Sequence, residues 1–187
     1  MRLIVDGLKK VNLDPKNREA RMALGLGTDA AGYILMPGPG GAHGPHLGSF
    51  SLVNLLSHGR ACALLNPYDT VLFANTTQES LKMVASVFQD AGYIKEAPTK
   101  LSRRNLGMAV AKAIISFWEE LGFPTNLQEV GVTEAHLQRM LTAAKNPQLR
   151  TNLQQMPVPI DAEKSDVDKL MKPTLEAAFS GDLDRVP

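Results

Sequence analysis

The chain has 187 residues, 44% apolar and 21% charged, and its 20 basic residues nearly cancel its 19 acidic ones, leaving a net charge of +1. That length and composition suit one folded domain with a real core and exclude wholesale disorder, while the balanced charge gives no electrostatic footprint for nucleic acid or an anionic membrane. A single cysteine, Cys62, excludes an intrachain disulfide framework; with no signal-peptide pattern and no apolar run of about twenty residues, the expected setting is cytoplasmic.

Arg2 to Val11 carries apolar residues at Leu3, Ile4, Leu8 and Val11, a helical stripe, and Asp14-Pro15 ends it. The next helix is expected from Asn17 to about Gly27, with Met22 and Leu26 facing one way and Arg18, Glu19 and Arg21 available to solvent. Tyr33 to Met36 is an apolar run too short to assign by period, and a glycine-proline loop from Pro37 to Gly41 follows. Gly38, Gly40 and Gly44 lack the spacing of the dinucleotide fingerprint and no acidic residue stands about twenty positions on, so the loop reads as a connection, not a phosphate cradle.

Chemistry concentrates in the next stretch, which holds His43, His46 and His58. Neutral imidazoles suit zinc, iron, nickel and copper, provided two of them meet in space. Pro45 is best placed in the first turn of a helix, which leaves His43 in the preceding loop. His46 and His58 would be separated by roughly 18 Å of rise on one unbroken helix, so they share a metal only if the chain turns back between them. Ser57-His58-Gly59 offers that break, Gly as a helix stop and Ser as the cap of the next helix. The competing reading is of histidines satisfied by backbone carbonyls at the surface or in the core.

From His58 the apolar residues run thickly to Asn66-Pro67, which is expected to end the helix before Val71-Leu72-Phe73 begins another. Cys62 in this segment reads as a small buried hydrophobe, not a nucleophile. Thr77 to Ala91 is a surface helix with Thr77 as cap and Leu81, Val84, Val87 and Phe88 inward; Ser102 to Leu121 is the clearest helix, stopped by Gly122 and Pro124. Thr133 caps a helix to Lys145 in which His136 is an exposed residue, and a last helix runs from about Ser165 to Phe179 despite Pro173. With six to eight helical stretches, no strand alternation and no repeats, the fold class is all-α, an orthogonal multi-helical array over residues 1–187.

Three stretches carry a resemblance: AHGPHLGSFSLVNLLSHGRACALLNPY (42–68), LGFPTNLQEVGVTEAHLQRML (121–141) and PTLEAAFSGDL (173–183). Together they resemble the C-terminal helical domain of the iron-containing alcohol dehydrogenases. The resemblance implies a divalent iron, or zinc, in a cleft between this domain and an N-terminal half that binds NAD or NADP, serving metal-assisted hydride transfer from an alcohol. It makes His58 the ligand of the family's His-Gly motif and His46 the other C-terminal ligand, with His43 the competing candidate and otherwise a catalytic residue that orients substrate or relays a proton. The sequence departs from the family in having no nucleotide-binding half and no Asp-x-x-x-His before its first helix. It is therefore expected to be a truncated or split part of a two-domain oxidoreductase, neither holding metal tightly nor oxidising alcohols alone. Its expected partners are an N-terminal dehydrogenase half or a second copy, reached through apolar surface around Val5, Leu8, Leu35 and Met36. The rival reading is a non-catalytic helical interaction or scaffold module derived from the same family.

Overall fold

The computed structural model describes residues 1–35 and 43–187, with the backbone alone given for 33–35 and for 43. Among the described residues there are nine helices and no strand. They are α1 (Arg2–Leu13), α2 (Arg18–Leu35), α3 (His43–Phe50), α4 (His58–Leu72), α5 (Gln78–Asp90), α6 (Arg103–Glu120), α7 (Glu134–Ala144), α8 (Arg150–Gln154) and α9 (Lys172–Ser180). A π-helical turn, Val167–Met171, runs directly into α9, of which Pro173 is the second residue.

Helix α4 is central: α3, α6 and α9 all pack on it. Asn66-Pro67 does not break it; Pro67 lies inside the helix and is itself buried. An interior proline costs about 3 kcal/mol. Leu64, Leu65, Val71 and Leu72 on either side of it are all buried, at about 1.5–3 kcal/mol each, so packing outweighs the local defect. Gly59 likewise sits within the first turn of α4 and stops nothing, whereas Ser57 is the N-cap, although its side chain makes no capping bond. Helix α2 runs on past Gly27 to take in the Tyr33–Leu35 run; the glycine-proline loop lies outside the described residues.

Two apolar clusters result. One gathers α4, α7 and α9 around Leu64, Tyr68, Leu141 and Ala178; the other gathers α1, α5 and α6 around Val5, Phe88, Val110 and Phe117. Helix α6 serves both, Ala111 facing the first cluster and Leu106, Val110 and Phe117 the second. This corrects the expectation of exposed surface at Val5 and Leu8: Val5 is buried among α5 and α6 and Leu8 packs against the same cluster, while the side chains of Leu35 and Met36 lie outside the described residues. Among the described side chains of α1 and α2, the large apolar ones that are exposed are instead Leu3, Leu13, Met22 and Leu26.

Candidate metal centre

Helix α3 lies close on α4 because two glycines one turn apart face it. A Cβ at Gly48 would stand 2.7 Å from Leu65 Cδ1, and one at Gly44 would stand 3.0 Å from Asp69 Oδ1. Between the helices the chain reverses over residues 51–57, a turn pinned from both sides. Leu52 is fully buried beneath it, and the Arg139 guanidinium of α7 donates to the Ser51 carbonyl and to Asn54 Oδ1, the latter at 2.7 Å.

That reversal sets the His46 and His58 rings edge to face, with His46 Nδ1 3.2 Å from His58 Nε2. Ser49, almost wholly buried, decides the tautomer of His58. Its hydroxyl has one hydrogen, which it donates to the His46 carbonyl at 2.6 Å, so the 2.7 Å contact to His58 Nδ1 requires that nitrogen to be the donor. His58 Nε2 is thereby left with its lone pair toward His46. Phe50 packs edge-on to the His46 ring and stacks near the His58 ring, while itself exposed.

Cys62, one turn after His58 on α4, places Sγ 3.6 Å from His58 Nε2, 3.8 Å from Nδ1 and 3.6 Å from the Pro45 carbonyl. It is half-buried, and burial pushes its thiol pKa up. The donor atoms of His46, His58 and Cys62 all lie within 4.8 Å of one another. A tetrahedral ion with bonds of about 2.05 Å to nitrogen spaces two nitrogens about 3.3 Å apart, so the separation of the imidazole pair matches that needed for one divalent metal.

His43, read from the sequence as a loop residue, is the first residue of α3; its side chain lies outside the described residues. His136 is taken up by structure, its Nδ1 pairing with the Thr133 backbone N–H at 3.1 Å in a capping box at the start of α7. Ser49 and Phe50 were missed by sequence reasoning, and Cys62 was set aside as a hydrophobe. The available signal was helical spacing, since Ser49 follows His46 by three residues and Cys62 follows His58 by four. On the far side of α3 an apolar pocket lined by Leu47, Leu65, Met140 and Met171 contains the Asp69 carboxylate, which burial pushes up to about 7.

The family model for the C-terminal domain of the iron-containing alcohol dehydrogenases matches residues 1–175. The chain belongs to this family. The match runs from Met1, the residue before α1, into α9, so it takes in α3 and α4, which carry His46 and His58, all of the second apolar cluster and most of the first. No curated protein and no solved structure gives a significant match to the chain. No helix among the described residues is long and apolar enough to cross a membrane.

Proposed function

We propose that this chain is the metal-binding C-terminal domain of an NAD(P)-linked alcohol dehydrogenase, with His46 Nδ1 and His58 Nε2 as its contribution to a divalent metal centre. The observation that supports this most directly is the 3.2 Å separation of those two nitrogens, across a turn held by Leu52 and Arg139. A divalent iron or zinc held there supplies Lewis-acid polarisation of an alcohol oxygen.

The chain's own residues prepare that chemistry. Ser49 fixes which His58 nitrogen is free to bind, a role that commonly changes metal affinity 10- to 100-fold. Phe50 flanks both imidazoles with an apolar face suited to the carbon skeleton of an alcohol. His43, one turn before His46 at the start of α3, takes from the family resemblance the role of orienting substrate or relaying a proton, or of the competing ligand. Hydride transfer needs a nucleotide-binding half, carried by the same polypeptide or by another chain, and the exposed Phe50, Val53 and Leu55 beside the site are the apolar surface it would cover. A cytoplasmic setting fits this reading, since it keeps Cys62 reduced.

The test is metal binding to the purified chain by calorimetry, with His46→Ala and His58→Ala as variants. One equivalent bound by the parent and lost in each variant supports the centre. Absence of specific binding in all three proteins would overturn a metal centre held by this chain's two imidazoles.

A further inference from the structure

Two imidazoles leave the charge of a bound dication uncompensated, and the third donor within reach is a sulfur. We propose that Cys62 is a third protein ligand of the centre, making it a two-nitrogen, one-sulfur site that takes zinc in preference to iron(II). This rests on the reading of His46 and His58 as ligands and adds a residue and a metal preference to it.

Geometry carries the proposal. For a tetrahedral ion with a bond of about 2.05 Å to nitrogen and about 2.3 Å to sulfur, the nitrogen–sulfur edge is about 3.6 Å. Cys62 Sγ lies 3.6 Å from His58 Nε2. It also lies 3.8 Å from Nδ1, so the sulfur stands at the flank of the ring instead of along the Nε2 lone pair. The three donor atoms lie within 4.8 Å of one another, so closing the site requires a side-chain adjustment, in which the weak contact given up by Cys62 is the 3.6 Å approach to the Pro45 carbonyl. Register holds the pair together: His58 and Cys62 share one face of α4 at i and i+4, the spacing at which helical side chains meet.

Chemistry fixes the metal. On binding, the thiol loses its proton to solvent and the thiolate supplies one negative charge to the ion. Soft thiolate donors select zinc over iron(II), and the general affinity order of divalent ions for a shared nitrogen and sulfur site points the same way. Three protein ligands leave one tetrahedral position for a further ligand, the count characteristic of catalytic zinc sites.

Cobalt(II) reports on such a site without any need for turnover, because a cobalt–thiolate bond gives a charge-transfer absorption in the near ultraviolet that imidazole ligation does not. Titrating the full chain with cobalt(II) should produce that band with one equivalent of metal, and Cys62→Ser should abolish it and weaken zinc binding at least tenfold. Since Cys62 is the chain's single cysteine, its alkylation in the native protein gives a mutation-free readout: zinc should protect it, and iron(II) should protect it far less. Cobalt bound without the charge-transfer band, or zinc affinity unchanged in Cys62→Ser, would overturn the sulfur ligand while leaving the imidazole pair intact. Equal protection by the two metals would overturn the zinc preference. No metal bound by the parent and no change in His46→Ala would overturn the centre and the sulfur ligand together.

Discussion

Ser49 shows how much one hydroxyl decides. Because its hydrogen goes to the His46 carbonyl, it serves only as an acceptor toward His58 Nδ1, and Ser49→Ala should free that ring to adopt the other tautomer. Zinc affinity is expected to fall about 10- to 100-fold while the far-ultraviolet circular dichroism stays that of the parent; an unchanged affinity would show that Ser49 does not orient the ligand. Asp69 governs a separate property. An unfolded aspartate ionises near 3.9, whereas burial pushes Asp69 up to about 7 in the fold. Its folded pKa lies above its unfolded one, so the unfolded chain releases the proton first and stability falls as pH rises from about 4 to about 7, by at most about 4 kcal/mol. The urea midpoint of the parent should drop across that window and that of Asp69→Asn should drop less. Parallel curves for the two proteins would remove Asp69 as the source.

Among the elements, α4 with its C-terminal turn and α6 approach closely at Gly107. A Cβ at Gly107 would stand 2.5 Å from the Ala74 Cβ and 3.2 Å from the Thr70 carbonyl oxygen, neither of which can swing aside. Gly107→Ala should therefore force the helices apart and cost about 1–3 kcal/mol in urea denaturation, although alanine is the better helix former by about 1 kcal/mol. A stability equal to the parent's would mean that the backbone gives way more readily than its packing suggests. Helices with local start signals were legible in the sequence: Thr77, Ser102 and Thr133 are the N-caps of α5, α6 and α7. Where tertiary burial overrode local chemistry, sequence reasoning failed, as at Pro67, whose neighbours keep α4 continuous, and at Val5, which finds its cover on α5 and α6. The reversal between His46 and His58 was signalled by Ser57 and the glycine after His58, yet Gly59 proves helical and the turn itself spans 51–57. Cys62 was legible as apolar but not as a donor, because nothing in its local sequence shows that Pro45 and Ser49 of another helix stand beside it.

Across the whole molecule, burial is unevenly shared. Helix α4 buries seven residues, whereas α1 buries Val5 and Gly7 and exposes Leu3; the α1–α2 pair meets the rest of the fold chiefly through Val5, Leu8 and exposed ion pairs such as Arg2–Asp90 and Lys9–Glu120. Exposed ion pairs are worth about 0–1 kcal/mol each. The α1–α2 pair should therefore open below the free energy of global unfolding, and hydrogen exchange should show its amides exchanging ahead of those in α4 and α6. Equal protection across all four helices would mean that the pair unfolds only with the rest.

Arg139 and Leu52 hold the turn between the histidines at both its surface and its base. The donors are consequently brought together when the chain folds, not when an ion arrives, and capture requires only local side-chain rotations, which take picoseconds to nanoseconds. Under stopped-flow mixing the observed uptake rate should climb in proportion to ion concentration without levelling off, whereas a plateau would reveal a slow backbone rearrangement ahead of capture. Arg139→Ala, by releasing the turn, is the change expected to introduce one.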